Sequence, residues 1–266
     1  RFGSIQATNT LKRRGVMQHL TSERLEGITT VRLHRGKVNA LNESVVDELT
    51  TCFREIAEDR ETKAVILTGT GKFFTFGFDI PEFMGYGRED FLRYLTKFTD
   101  FYHDLFLFPK PVVAALNGHT IAGGCMIAIA CDYRIMVSGK ARISLNEINF
   151  GSSLFAGSVD MIKLWMGQKN AETAVYTGAM YSAEEACRLG LVHQVAAEDR
   201  LENDAAEVAR QLAAKDNAPF RSIKRLLRNP IAADIRKRER DSLLEFVDIW
   251  YSEDTWNKLK DKKIYN

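Results

Sequence analysis

At 266 residues the chain is long enough for one large core, or for a core with a small appended domain. Its 37 basic residues nearly balance 35 acidic ones, so the formal charge of +2 calls for no nucleic-acid or membrane partner, and no apolar run approaches the roughly 20 residues that span a bilayer. Four cysteines and five scattered histidines show no metal-ligand spacing, which predicts no metal site and a reduced intracellular setting: the cytoplasm, with the mitochondrial matrix as the alternative.

Residues 1–16 carry Arg1, Lys12, Arg13 and Arg14 with several Ser and Thr and no acidic residue. They lack the apolar stretch of a secretory signal, and are expected to be a tag, a leader or a disordered extension ahead of Met17. A strand is predicted at Ile28–Leu33. An amphipathic helix follows at about Ser44–Glu58, where Val45, Val46, Leu49, Cys52, Phe53 and Ile56 keep helical spacing. The run Ala64-Val65-Ile66-Leu67-Thr68 reads as a strand leading to a glycine turn, Phe74-Thr75-Phe76-Gly77-Phe78-Asp79-Ile80. A helix near 88–107 carries the stripe Phe91, Leu92, Leu95, Phe98, Tyr102, Leu105 and Phe106, read as core in preference to the wall of a ligand tunnel.

The run 111–117 is a further strand, leading to a second glycine turn, Ile121-Ala122-Gly123-Gly124-Cys125, and a short helix through Ala130. Strands near 133–137 and 141–144 complete this part. From Ser152 the chain reads as mainly helical, with Ser182-Ala183-Glu184-Glu185 as a capping box and Gly190 as the stop before a strand at Leu191–Val195. Beyond Glu198 come three or four helices without any glycine. This divides the chain into a core at 17–198 and a helical oligomerisation region at 199–266. Alternating strands and helices predict an α/β fold with mainly parallel pairing. Doubly wound sheets and spirals of β-β-α units both fit that pattern.

Each glycine turn takes the chain from a strand to a helix start, where backbone N–H groups have no intrahelical partner. One such turn is a weak anion site; two converging on a single oxygen make an oxyanion hole, which stabilises charge developing on a carbonyl. Competing motifs fail. Gly69-Thr70-Gly71-Lys72 lacks the spacing of a phosphate loop and is followed by Phe73, and no Gly-x-Ser-x-Gly elbow exists. Eight Lys and Arg residues between Arg221 and Arg240 suit either a solvated helical face or attraction for phosphates.

Six further segments carry a family resemblance. Lys37-Val38-Asn39-Ala40-Leu41, the two glycine turns, Cys131-Asp132-Tyr133-Arg134-Ile135, Leu145-Asn146-Glu147, Tyr176-Thr177-Gly178 with Ala183-Glu184-Glu185-Ala186, and Gly190-Leu191-Val192 stand in the order found in the crotonase superfamily. From about Leu25 to the C-terminal helices, the chain resembles these enoyl-CoA hydratases and isomerases. The resemblance implies a crotonase-type spiral of β-β-α units with a C-terminal helical region. It implies oxyanion donors at the backbone N–H groups of Phe78 and Gly123, and a catalytic glutamate at Glu147. Lys37, Ala40, Phe76, Gly77, Asp79, Ile80, Gly124 and Met126 are the implied substrate-binding positions. It further implies an acyl-CoA substrate, with coenzyme A entering as its thioester and no other cofactor. The implied assembly is a homotrimer or dimer of trimers, packed through apolar residues such as Leu243, Leu244, Phe246, Val247, Ile249, Trp250 and Tyr251. A few hydratase relatives bind RNA, but nucleic acid is not expected here.

Glu147 has only apolar or amide neighbours in sequence, so its pKa should be raised toward neutral, as a proton-transfer group requires. Local sequence alone would read it as a solvent-facing loop residue; its place after the two turns reverses that. The chain departs from the hydratases at Met126, where they carry a second glutamate that helps to hold water. In this it is similar to mitochondrial-type 3-enoyl-CoA isomerases, which also have an apolar residue there. One base suffices for isomerisation, because the proton taken from C2 returns at C4. The expected activity is therefore isomerisation of 3-enoyl-CoA to 2-enoyl-CoA. A hydratase or other enolate lyase is the alternative, followed by a non-catalytic acyl-CoA or RNA-binding relative. Phe76 and Phe78 stand where smaller residues are commoner in hydratases; they either narrow the acyl entrance or fill core.

Overall fold

The structure, a computed structural model, describes residues 17–261. The expected extension at 1–16 lies outside the described residues. A hairpin of β1 (Leu20–Leu25) and β2 (Ile28–Leu33) opens the fold, turning at Glu26 and Gly27, both with positive φ. Helix α1 (Glu43–Glu58) begins where the Asn42 side chain accepts the Val45 N–H at 3.1 Å, and it buries the six residues whose spacing predicted it.

Three β-β-α turns follow. The first contains β3 (Ala64–Gly69), β4 (Phe73–Thr75), α2 (Ile80–Phe83) and α3 (Arg88–Phe106). The second contains β5 (Val112–Leu116), β6 (His119–Ile121) and α4 (Gly123–Ala130). The third contains β7 (Tyr133–Val137), β8 (Ile143–Ser144), a 3-10 turn at Glu147–Phe150, and α5 (Ala156–Thr177). Each turn gives its first strand to one sheet and its second to another. The large sheet has the order β1-β2-β3-β5-β7-β9, parallel except at the hairpin; the small one has the order β4-β6-β8 and is parallel throughout. This is the spiral that the resemblance implied.

After α5 come α6 (Ala183–Arg188), whose Ser182 and Glu185 make both bonds of the expected capping box, and β9 (Gln194–Ala196), which begins three residues later than the predicted strand. The early residues Leu191 and Val192 instead bond back to Ala186 O. Three helices complete the described chain: α7 (Leu201–Ala213), α8 (Asn217–Trp250) and α9 (Glu253–Asp261).

These helices are packed onto the core rather than set apart from it. Helix α7 covers β3, β5 and β7; α8 lies on α3 and α5; α9 lies on the 3-10 turn. Leu243, Phe246, Val247 and Trp250, expected to seek a neighbouring copy, are buried within their own chain. The physical reason is the aromatic stripe of α3 and the start of α5: Trp250 meets Phe91 at 4.7 Å between ring centroids, and Phe246 meets Phe155 at 4.6 Å. Of the expected interface residues, Leu244 is exposed and Ile249 and Tyr251 are half-buried.

Charge fixes the docking of α8 as well. Asp132 accepts from Lys224 at 2.8 Å and pairs with Arg228 at 3.0 Å, and Arg228 also donates to the carbonyls of Phe106 and Ala130. Two members of the basic run are thus buried and committed to the core, not to solvent or a phosphate.

Candidate active site

The three ends of the small sheet lie side by side, because β4, β6 and β8 are neighbouring parallel strands roughly 4.8 Å apart. Phe78 follows the last residue of β4 by three positions, Gly123 follows β6 by two, and Glu147 follows β8 by three. Residues far apart in sequence therefore emerge at one edge. The N–H of Ala122 donates to Ser144 O at 2.9 Å and extends the β6–β8 register into the site.

The first turn is held by the Lys37–Leu41 segment. Phe76 N donates to Val38 O at 2.9 Å, Leu41 N donates to Gly77 O at 2.7 Å, and Asp79 N donates to Leu41 O at 3.0 Å. Leu41 thus forms a parallel bridge with Phe78, which turns the peptide groups of Phe78 itself to the opposite side. Asn39, fully buried at φ +50°, donates its side-chain amide to the carbonyls of Phe73 at 2.9 Å and Thr70 at 3.1 Å.

The second turn begins α4. Met126 N is the first to bond within the helix, to Ala122 O at 3.0 Å. The N–H groups of Gly123, Gly124 and Cys125 have no carbonyl one turn back. The two turns touch. A Cβ on Gly77, whose φ is +98°, would lie 2.7 Å from Ile121 O and 2.9 Å from the nitrogen of Gly123, so only glycine permits this approach. Ala122 is held at φ +50°, ψ −119°, a conformation that ordinarily belongs to glycine.

Glu147 opens the 3-10 turn and is 7% exposed. Neither carboxylate oxygen has a hydrogen-bond partner. Burial pushes its pKa up to about 8 by stripping water from the carboxylate, and its own backbone N–H offsets only part of that loss. Beside it lies a cavity of about 40 Å³, whose walls include Phe76, Phe78, Ile80, Ala122, Ser152 and, from the C-terminal helices, Phe246, Trp250 and Leu259. Glu147 is the one titratable side chain among its lining residues.

The structure sorts the expected positions. Glu147, Phe76, Phe78 and Ile80 reach this cavity. Lys37 is exposed; Ala40 is buried, with its carbonyl taken by Arg35 at 3.0 Å. Asp79 is occupied by an ion pair with Arg35 at 2.6 Å and by capping α2 through Glu82 N. Gly124 serves packing, since a Cβ there would meet Thr75 O at 2.4 Å. Met126 is buried in the apolar core and does not line the cavity. Phe78 lines it and also packs edge-on to Phe98 at 4.8 Å and Tyr94 at 5.3 Å, so the stripe of α3 is core standing behind Phe78. Ser152, Phe246, Trp250 and Leu259 were not read as site residues. Ser152 arrives with the loop that follows the turn of Glu147, where its N–H donates to Glu147 O at 3.1 Å, whereas Phe246, Trp250 and Leu259 carry no local signal because they reach the site only when the C-terminal helices fold back.

Among the described residues no group of three or more His, Cys, Asp and Glu is placed to hold a metal ion, and no helix is long and apolar enough to cross a membrane. All four cysteines are free thiols.

The family profile described as enoyl-CoA hydratase/isomerase matches residues 23–250. A short-chain-enoyl-CoA hydratase of Clostridium acetobutylicum is 35% identical over 72% of this chain and 73% of its own. The mitochondrial enoyl-CoA delta isomerase 1 of Mus musculus is 29% identical over 81% of this chain and 75% of its own. Among solved structures, human mitochondrial delta3-delta2-enoyl-CoA isomerase superposes with a TM-score of 0.87, at 25% identity, covering 91% of this chain and 96% of that one. With the profile spanning both sheets, the two glycine turns and Glu147, the chain belongs to the enoyl-CoA hydratase/isomerase family.

Proposed function

We propose that this family member is a 3-enoyl-CoA isomerase with Glu147 as its single acid/base. The observation that carries the reading is the cavity beside Glu147: it offers one titratable group, unpartnered and raised to about 8, and no second carboxylate. The thioester carbonyl accepts the N–H groups of Phe78 and Gly123. Ionised Glu147 takes a proton from C2, and the electron pair spreads over the dienolate onto the thioester oxygen. The resulting carboxylic acid returns the proton at C4, leaving the double bond between C2 and C3. Atoms and charge balance without a further reagent, and coenzyme A is needed only as part of the substrate. An oxyanion donor of this kind contributes roughly 2.7–4 kcal/mol to the transition state, and a positioned base roughly 10²–10⁴ in rate.

Hydration is the second reading, favoured by the relative named a hydratase at 35% identity. It needs a held water and a second proton-handling group. Ser152, whose buried hydroxyl lacks a partner, is a further polar side chain at the cavity, besides the indole N–H of Trp250. Incubation with 3-hexenoyl-CoA and with crotonyl-CoA, followed by product mass and conjugation absorbance, separates the two. Isomerisation conserves mass and hydration adds one water. Fast hydration of crotonyl-CoA with no isomerisation overturns the isomerase reading.

We also keep the trimer or dimer of trimers as the assembly, with Ile223, Leu226 and Leu227 of α8, all more than half exposed, as the apolar surface for it. A monomer in light scattering at micromolar concentration removes this part.

A further inference from the structure

Pockets that enclose drug-sized ligands run to roughly 300–1,000 Å³; the cavity beside Glu147 measures about 40 Å³. At roughly 10–15 Å³ for each water-sized group, that is room for about three or four atoms. A base that takes a proton from C2 and returns it at C4 must have both carbons next to its carboxylate. Carbons beyond C4 must then enter the space that the C-terminal helices close.

Two of those closing residues are anchored in the aromatic core: Phe246 on Phe155 and Trp250 on Phe91. The third, Leu259, stands on the nine-residue helix α9 and is 3% exposed. Its helix is tied to the turn that carries Glu147. Thr255 Oγ1 donates to Gly151 O at 2.6 Å, and Gly151 N donates to Ile148 O to end that turn. A stack of Tyr251 on Trp256, 5.3 Å between centroids, supports the same helix from α8. The distance from base to closing wall is therefore fixed through one short piece of chain.

We propose that Leu259 is the acyl-length stop of this enzyme, and that its substrates are short-chain acyl-CoA thioesters. The inference rests on the acyl-CoA reading of the site, not on isomerisation in particular. Leucine at this position fills the place that the next carbons of a longer chain would take. Trimming it opens that place without disturbing the aromatic anchors.

The experiment has two readouts, made on the full chain, wild type, Leu259→Ala and Leu259→Trp. Calorimetry measures binding of butyryl-, hexanoyl-, octanoyl- and decanoyl-CoA, and turnover is measured with the matching 3-enoyl-CoA series. Wild type should bind and turn over the shortest members best. Because one methylene is worth roughly 10–200-fold in a fitted apolar pocket, Leu259→Ala should raise octanoyl relative to butyryl at least about tenfold in both readouts. Leu259→Trp should sharpen the preference for the shortest chain. Equal binding of butyryl- and decanoyl-CoA by wild type overturns the inference. So does an unchanged length profile in either folded variant. A length preference in binding that shifts as stated, without isomerisation of any substrate, leaves the inference standing and removes the isomerase reading instead.

Discussion

A Cβ on Gly123 would lie 2.9 Å from Cε1 of the Phe78 ring. The two residues whose N–H groups are proposed to hold the thioester oxygen are therefore packed against each other, and the ring of one occupies the space that a side chain on the other would need. Gly123→Ala should push Phe78 aside and misplace both donors together. Turnover should fall by about 10²–10³, the loss seen when one oxyanion donor is removed, while circular dichroism stays native. A folded Gly123→Ala protein with full turnover would show that the two turns do not set the geometry of the reaction.

Glu147→Gln should abolish turnover and spare acyl-CoA binding, since shape and polarity are kept and only the base is lost. The expected loss is about 10²–10⁴ or more, because one group makes both proton transfers. Steady-state rates beside calorimetric binding of a saturated acyl-CoA measure it.

The same residue dictates two pH profiles. A base raised to about 8 must be ionised to act, so kcat/KM should fall tenfold for each pH unit below about 8. For stability the sign is opposite to that of a paired carboxylate. Between the ordinary value of 4.5 and about 8, the folded chain binds a proton that the unfolded chain has released. Stability is thus fully present below about 4.5 and is lost as pH rises toward 8, by up to about 1.4 kcal/mol per unit. Glu147→Gln should escape this loss. Its advantage in urea titration should be greatest above pH 8 and vanish near pH 4.5; an advantage independent of pH would contradict the buried, unpartnered carboxylate.

Ala122 is held at φ +50° at the site. Ala122→Gly should not lower the melting temperature, although glycine is normally the less stable choice, because strain released offsets the entropy lost. Ala122→Val should be destabilised by about 1–3 kcal/mol. Thermal melts of both variants decide it.

Asp132 holds Lys224 and Arg228, which are 5% and 6% exposed. Asp132→Ala leaves two buried cations without their carboxylate, at an expected cost of about 3–5 kcal/mol in denaturant unfolding. A change below about 1 kcal/mol would mean that α8 is held by packing alone.

Much of this was open to sequence reasoning because it is local. The six buried residues of α1 declare their face by spacing alone, and Ser182 with Glu185 declares a helix start by the two bonds that those side chains can make. The strands β3, β5 and β7 are long enough for β-branched runs to show. Of the small sheet only β8 was anticipated, within the strand expected near 141–144; β4 and β6 were not. Strands of three residues carry no period, and β4 and β6 are strands because the spiral stacks them beside β8. Glu147 was singled out by resemblance; its neighbours in the chain say only that it is surrounded by apolar and amide groups.

Tertiary structure decided what those faces cover. Phe246 and Trp250 were legible as an apolar face of a C-terminal helix, but not as walls of the cavity beside Glu147, since amphipathic spacing tells that a face is buried and not against what. Lys224 and Arg228 belong to a run of charge that alone reads as solvated, and Asp132 lies 92 residues before the first of them. Such pairings depend on contacts between distant segments, which only the completed spiral brings together. The site is made the same way: three loops, each ordinary by itself, gain a common edge because three short strands align in parallel.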